Sequence, residues 1–249
     1  MSRHVLDCTK DLDWNPLITA VQHSQFSGVV AGLVFTVLAV LIVSRANQDL
    51  SSTLQIFIAT LFAFAYDSYG FGVISGEQTC GRAYVESVMC GAVLGIGSTG
   101  LMTGLAWLVN SYGYTGEPLK FVNLVSAAVS AIVALMVMVS AQGYAQAVLY
   151  PTAWRDPVTD AVYALIGAAT LAGIWVWMKP TANRHGAARW ATRSSVLFVL
   201  ISALTAGAAA AFPAKDWATT PSWLVLTVVG LSVLLPAATV VLHVRSLPR

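Results

Sequence analysis

The chain has 249 residues, of which 57% are hydrophobic and only 10% charged, with a net charge of +2 and a mean hydropathy of +0.73. A soluble domain of this length carries roughly a quarter charged residues to keep its surface wet, so a soluble fold is excluded. A net charge this small also gives no basic surface for nucleic acid.

The charges fall between long apolar runs, the pattern of a polytopic integral membrane protein. Residues 1–25 contain Arg3, Asp7, Lys10, Asp11 and Asp13, with no apolar stretch before Pro16. They read as a short extracytoplasmic segment without a cleavable signal peptide, the first span serving as its own insertion signal. Seven apolar runs follow, at 26–44, 54–75, 87–109, 121–140, 159–178, 194–212 and 222–243. Each approaches the ~20 residues that cross ~30 Å of hydrocarbon as a helix, and none alternates as barrel strands do. Pro236 inside the last run is expected to kink that helix, not end it. The expectation is a single all-α transmembrane domain, a bundle of seven helices over 26–244 with a cytoplasmic tail at 245–249.

Orientation follows from the basic residues. Lys179, Arg184, Arg189 and Arg193 cluster between the fifth and sixth runs, which places that connection in the cytoplasm. Arg45, Lys120, Arg245 and Arg249 then share its side, while Arg3, Lys10, Arg82, Arg155 and Lys215 lie outside. Asp49 and Glu117 are the acidic residues inside; the others are outside or in the outer half. This predicts a multi-pass protein of the cell membrane, N-terminus out and C-terminus in. Trp14, Trp107, Trp154, Trp175, Trp177, Trp217 and Trp223 fall near the predicted interfaces, as aromatic belts do. Cys8 and Cys80 both land outside, where a disulfide persists, so a Cys8–Cys80 bridge is open; Cys90 sits within the third run.

Asp67 is the most informative residue. It lies eight residues from the outer end of the second run, about 12 Å below it at the helical rise. A carboxylate at that depth must be paired, hydrated or protonated, which makes a functional role the default hypothesis. Tyr66, Ser68 and Tyr69 flank it as hydrogen-bond donors, and Glu86 and Asp160 begin the third and fifth runs at the outer face. Together they read as the lining of an outward-facing site for a cation, a proton or a polar ligand. The competing reading pairs Asp67 with Arg82 or Arg155, or with backbone, purely to fix helix packing.

The stretch Ser68-Tyr69-Gly70-Phe71-Gly72 resembles the Thr-x-Gly-Tyr/Phe-Gly selectivity filter of potassium channels, in which backbone carbonyls replace the ion's hydration shell. The resemblance covers five residues, and Val73 stands where an acidic residue commonly follows. It implies that 54–75 is re-entrant, with Leu54 to Tyr66 as pore helix and the N-terminus inside. A full crossing is the alternative.

Gly91, Gly95, Gly97, Gly100 and Gly104 crowd the third run. At 100° per residue Gly91 and Gly95 share one face with Ser98, and Gly97, Gly100 and Gly104 share another, so this helix is expected to sit between close neighbours. His4, His23, His185 and His243 show no metal-ligand spacing, His23 and His243 fall at span ends, and no phosphate-binding or Cys-x-x-Cys motif occurs. No metal and no cofactor is expected; the final run lacks a lysine for a retinal Schiff base. Three functions remain: a small transporter or permeation subunit in which Asp67 binds a cation or proton; an intramembrane enzyme on a lipid or isoprenoid substrate with Asp67 as general acid, assisted by Glu86 or Asp160; and a non-catalytic subunit packed through the glycine-rich helix. The partners expected are the lipid bilayer and a membrane-protein partner or second copy of the chain.

Overall fold

A computed structural model of the chain describes residues 16–43, 50–77, 80–149, 164, 167, 183–211 and 222–248. These form six helices: α1 (Pro16–Val43), α2 (Ser51–Ile74), α3 (Cys80–Ser111), α4 (Glu117–Leu149), α5 (Arg184–Ala211) and α6 (Ser222–Ser246). Each is long and apolar enough to cross a membrane, which makes this an all-helical membrane protein. The expected run 159–178 lies almost wholly outside the described residues, and so do Cys8, Arg155 and Asp160.

Three helices start well before the apolar runs that announce them. Pro16 opens α1, where its missing N–H costs nothing and its fixed φ suits the first turn. Residues 16–25 are therefore helical and continuous with the first apolar run. Helix α3 begins at Cys80, so Arg82 and Glu86 ride on its first two turns and Glu86 does not mark the start of the helix. Helix α5 begins at Arg184 and carries Arg189 and Arg193, so the basic cluster is largely helical surface and not loop. Helix α6 continues through Pro236, as expected. Between α3 and α4 the chain turns on Gly113 and Gly116, at φ 76° and 71°, a left-handed backbone that side chains resist. The Tyr114 N–H reaches back to the Val109 carbonyl at 3.3 Å and closes the end of α3.

Helix α3 is the axis of the bundle and touches all five other described helices. Its Tyr84, Val88, Met89, Val93 and Ile96 pack with Phe198 of α5 and with Val228, Val229 and Val233 of α6. Glycines set its closest approaches. A Cβ on Gly97 would meet the Phe64 ring at 3.3 Å, and one on Gly104 the Phe57 ring at 3.1 Å, both on α2. On the opposite side a Cβ on Gly95 would lie 2.7 Å from Val133 of α4, while Gly91 meets nothing within 4 Å. Two faces of α3 are thus covered by helices of the same chain.

Side-chain contacts fix the directions. Ser27 of α1 reaches Asp67 near the end of α2, and Thr53 at the start of α2 reaches Ser111 at the end of α3. Asn123 near the start of α4 and Arg184 at the start of α5 donate to the carbonyls of Pro248 and Leu247, just after α6. Helices α2, α4 and α5 therefore run one way, and α1, α3 and α6 the other. One end of the bundle bears Glu77, Arg82 and Glu86; the other bears Lys120, Arg184, Arg189, Arg193 and Arg245. We refer to these as the acidic end and the basic end.

One expectation about the basic end is corrected. Trp107 is only 5% exposed and lies 4.8 Å from the His185 ring, so it belongs to the interior and not to a lipid-facing belt. His243 is also interior, at 1% exposure, although it stands near the end of its helix. It meets Ser195, eleven residues into α5, because α6 stops deeper in the bundle than its neighbours. Ser246 and Pro248 are buried as well.

Candidate functional site

Asp67 lies on the buried face of α2 because its neighbours at helical spacing, Ala63, Phe64, Phe71 and Ile74, are apolar and pack inward. The side chain is fully buried. Ser27 Oγ of α1 donates a 2.6 Å hydrogen bond to its Oδ2. Its Oδ1 has no hydrogen-bond partner among the described residues.

Two further bonds hold α1 in register beside it. Ser24 Oγ donates to the Ser68 carbonyl at 2.8 Å, and Ser68 Oγ returns a bond to the Ser24 carbonyl at 2.9 Å. A Cβ on Gly28 would stand 3.1 Å from Ser68 Oγ, so a glycine permits the close approach. One turn toward the acidic end, the His23 ring stacks on Phe71 at 4.9 Å.

Helix α3 closes the other side. Buried Cys90 faces α2 so tightly that a Cβ on Gly70 would lie 2.6 Å from its Sγ. Cys90 and Tyr66 both lie within electrostatic reach of Asp67 and Glu86. Glu86 is 4% exposed; its Oε1 sits 3.9 Å from Arg82 Nε, and its Oε2 has no partner among the described residues. Arg82 grips Glu77 instead, with Nε donating to Oε2 at 2.7 Å and Nη2 donating to Oε1. The Asp67–Arg82 pairing considered from sequence is therefore absent: Arg82 is committed to Glu77 and leans on Glu86.

No protein-family model, curated protein or solved structure matches the chain. The site must be read from its own geometry. Of the residues singled out in the sequence, Tyr66 and Glu86 come into the neighbourhood of Asp67. Ser68 turns to α1, and Tyr69 is 72% exposed and points away. Asp160 lies outside the described residues, and so does the Cys80 side chain.

The likeness to a potassium-channel filter fails on the backbone. Ser68 to Gly72 are helical, and Ser75 donates its N–H to the Phe71 carbonyl and its hydroxyl to the Gly72 carbonyl. A filter needs carbonyls free to face an ion, and here the helix occupies them. Helix α2 runs unbroken for 24 residues, long enough to cross outright.

Ser27, Ser24 and Cys90 were not visible as site residues in sequence. A serine or cysteine in an apolar run is ordinary, and only the packing of α1 and α3 against α2 brings Ser27 and Cys90 to the carboxylate and Ser24 to the Ser68 carbonyl beside it. Among the described residues, no three His, Cys, Asp or Glu side chains gather as a metal site. What the arrangement offers is a single carboxylate, shielded from lipid by three helices, with one oxygen held and the other available.

Proposed function

We propose that the chain is a small transporter or permeation subunit that passes a proton or cation by way of Asp67. The observation that carries this reading is the environment of the carboxylate: fully buried, held by one serine hydroxyl, and paired with no cation among the described residues. A group so placed is expensive for a fold to keep, and intramembrane carboxylates that are kept mark ion and proton pathways. Toward the acidic end Glu86, whose Oε2 has no hydrogen-bond partner among the described residues, favours the approach of a cation from that side. In sealed vesicles Asp67→Asn abolishes ion flux while insertion and folding are retained; unchanged flux sinks the proposal.

The proposal includes a seat in the cell membrane with seven crossings, the N-terminal side out and the basic end in the cytoplasm. Support comes from charge and from direction. Five basic residues of the described helices gather at one end, which the positive-inside rule assigns to the cytoplasm. Helices α4 and α5 both start at that end, which supports one more crossing between them, in the 159–178 stretch. An impermeant thiol reagent that labels Cys8 in intact cells, before or after reduction, agrees with this orientation; protection under both conditions overturns it.

A further inference from the structure

The interior holds a second group of polar side chains, about 10 Å from Asp67 along α2 and toward the basic end. His243 Nε2 of α6 lies 3.1 Å from Ser195 Oγ of α5, and His243 Nδ1 has no partner among the described residues. Gly100 of α3 brings α2 to the same point. The place its Cβ would take lies 2.6 Å from Thr60 Oγ1 and 3.7 Å from His243 Cε1. Thr60 Oγ1 and, beside Gly100, Thr99 Oγ1 are buried and without partners among the described residues. Four helices thus converge on one imidazole with hydroxyls.

The groups around it are otherwise apolar. Residues 56–64 of α2 and 96–104 of α3 include no ionisable side chain. On α5 the nearest charge in sequence to Ser195 is Arg193, exposed and set over the Trp190 ring at 5.6 Å. On α4, Asn123 donates to the Pro248 carbonyl and Lys120 is exposed, paired with Glu117. Arg245, two residues along α6, is only partly buried.

The two groups are also aligned. Thr60 precedes Asp67 by seven residues, two turns on the same buried face, and Thr53 precedes Thr60 by seven more. Thr53 Oγ1 meets Ser111 Oγ at 3.3 Å, and Ser52 Oγ meets His185 Nδ1 at 3.0 Å, at the basic end. Polar groups therefore recur along α2 from the carboxylates of the acidic end to the imidazole of the basic end.

We propose that His243, Thr60 and Ser195 form a second intramembrane proton site in series with Asp67, so that the species carried is a proton. This deepens the transport reading and rests on it. A metal cation needs several ligands and room for them. Here the place of a Cβ on Gly100 lies 2.6 Å from Thr60 Oγ1 and 3.7 Å from His243 Cε1, which leaves little room, and no three His, Cys, Asp or Glu side chains gather among the described residues. An imidazole needs neither. Ser195 Oγ donates to the Ala191 carbonyl at 2.9 Å, so it holds His243 Nε2 as the ring's N–H, and Nδ1 is the nitrogen left to take up a proton. Uptake at Nδ1 gives the imidazolium and release from the same nitrogen restores the neutral ring, with no change of oxidation state.

The test uses the full chain in liposomes with a trapped pH indicator, under a pH gradient with potassium and valinomycin to balance charge. The wild-type chain carries protons at the same rate with sodium or choline as the added cation. His243→Gln, which can still hydrogen-bond Ser195 but takes up no proton, lowers the rate at least tenfold, as does Asp67→Asn. If Asp67→Asn abolishes flux and His243→Gln leaves it unchanged, the second site is wrong and the Asp67 reading stands. A sodium requirement that Asp67→Asn removes also overturns the proton assignment alone. Flux indifferent to Asp67→Asn overturns the underlying reading. Should His243→Gln not fold, Thr60→Val and Thr60→Ser decide: a slow Val and a restored Ser variant support the site, and equal rates overturn it.

Discussion

Ser27 and Asp67 stand forty residues apart in sequence and 2.6 Å apart through Oγ and Oδ2, on antiparallel helices that meet side by side. That bond makes α1 a wall of the carboxylate site as well as a membrane span. The reciprocal Ser24 and Ser68 bonds one turn away hold the two helices in register for it.

Removing the donor should expose that dependence. Ser27→Ala leaves a buried carboxylate without its hydrogen bond and is expected to cost about 1–3 kcal/mol of stability. Thermal unfolding in detergent checks this. In an Asp67→Asn background the same substitution should cost less, giving a coupling on the order of 0.5–3 kcal/mol in a double-mutant cycle. Equal costs in both backgrounds would show that Ser27 acts through packing alone.

The glycines of α3 differ from one another, and alanine distinguishes them. Gly100→Ala drives a Cβ to 2.6 Å from Thr60 Oγ1 and is expected to destabilise by about 1–3 kcal/mol. Thr60→Ala removes the opposing atom and should restore much of that loss. Gly91→Ala meets nothing within 4 Å and should change stability by no more than about 0.5 kcal/mol. Unfolding midpoints of the four proteins rank these effects, and a costly Gly91→Ala would contradict the geometry.

Charge pairs at the two ends should respond unequally. Arg82→Gln strips the partner from Glu77 and Glu86, both nearly buried, and is expected to cost about 1–3 kcal/mol. Lys120→Gln breaks an exposed pair with Glu117 and should cost no more than about 1 kcal/mol. Raising the salt concentration should narrow the Lys120 effect much more than the Arg82 effect.

Hydropathy announced six of the helices the structure describes, but it misplaced the ends where polar residues ride on helical backbone. Gln22, His23, Ser24 and Gln25 dilute the start of α1, and Arg184, Arg189 and Arg193 that of α5. The helical hydrogen-bond ladder does not require apolar side chains, so an apolar run reports the hydrocarbon-facing part of a helix and not its length. Asp67 was legible because a lone carboxylate in such a run has few explanations. Its partner Ser27 was not, since only the packing of α1 on α2 selects it among the serines of the chain. His243 was placed at a helix end in the sequence and stands three residues from the end of α6, but its burial was not legible, since it depends on α6 stopping level with the interior of α3 and α5.

The Ser27–Asp67 bond bears also on how the protein is assembled in its bilayer. Of the six stretches, that of α1 is the most apolar, with mean hydropathy 2.7, and that of α2 the least, at 1.4. The helix that partitions most easily stands directly before the one burdened with a carboxylate. Through Ser27 the hydroxyl that satisfies that acid is carried by the neighbour least costly to insert.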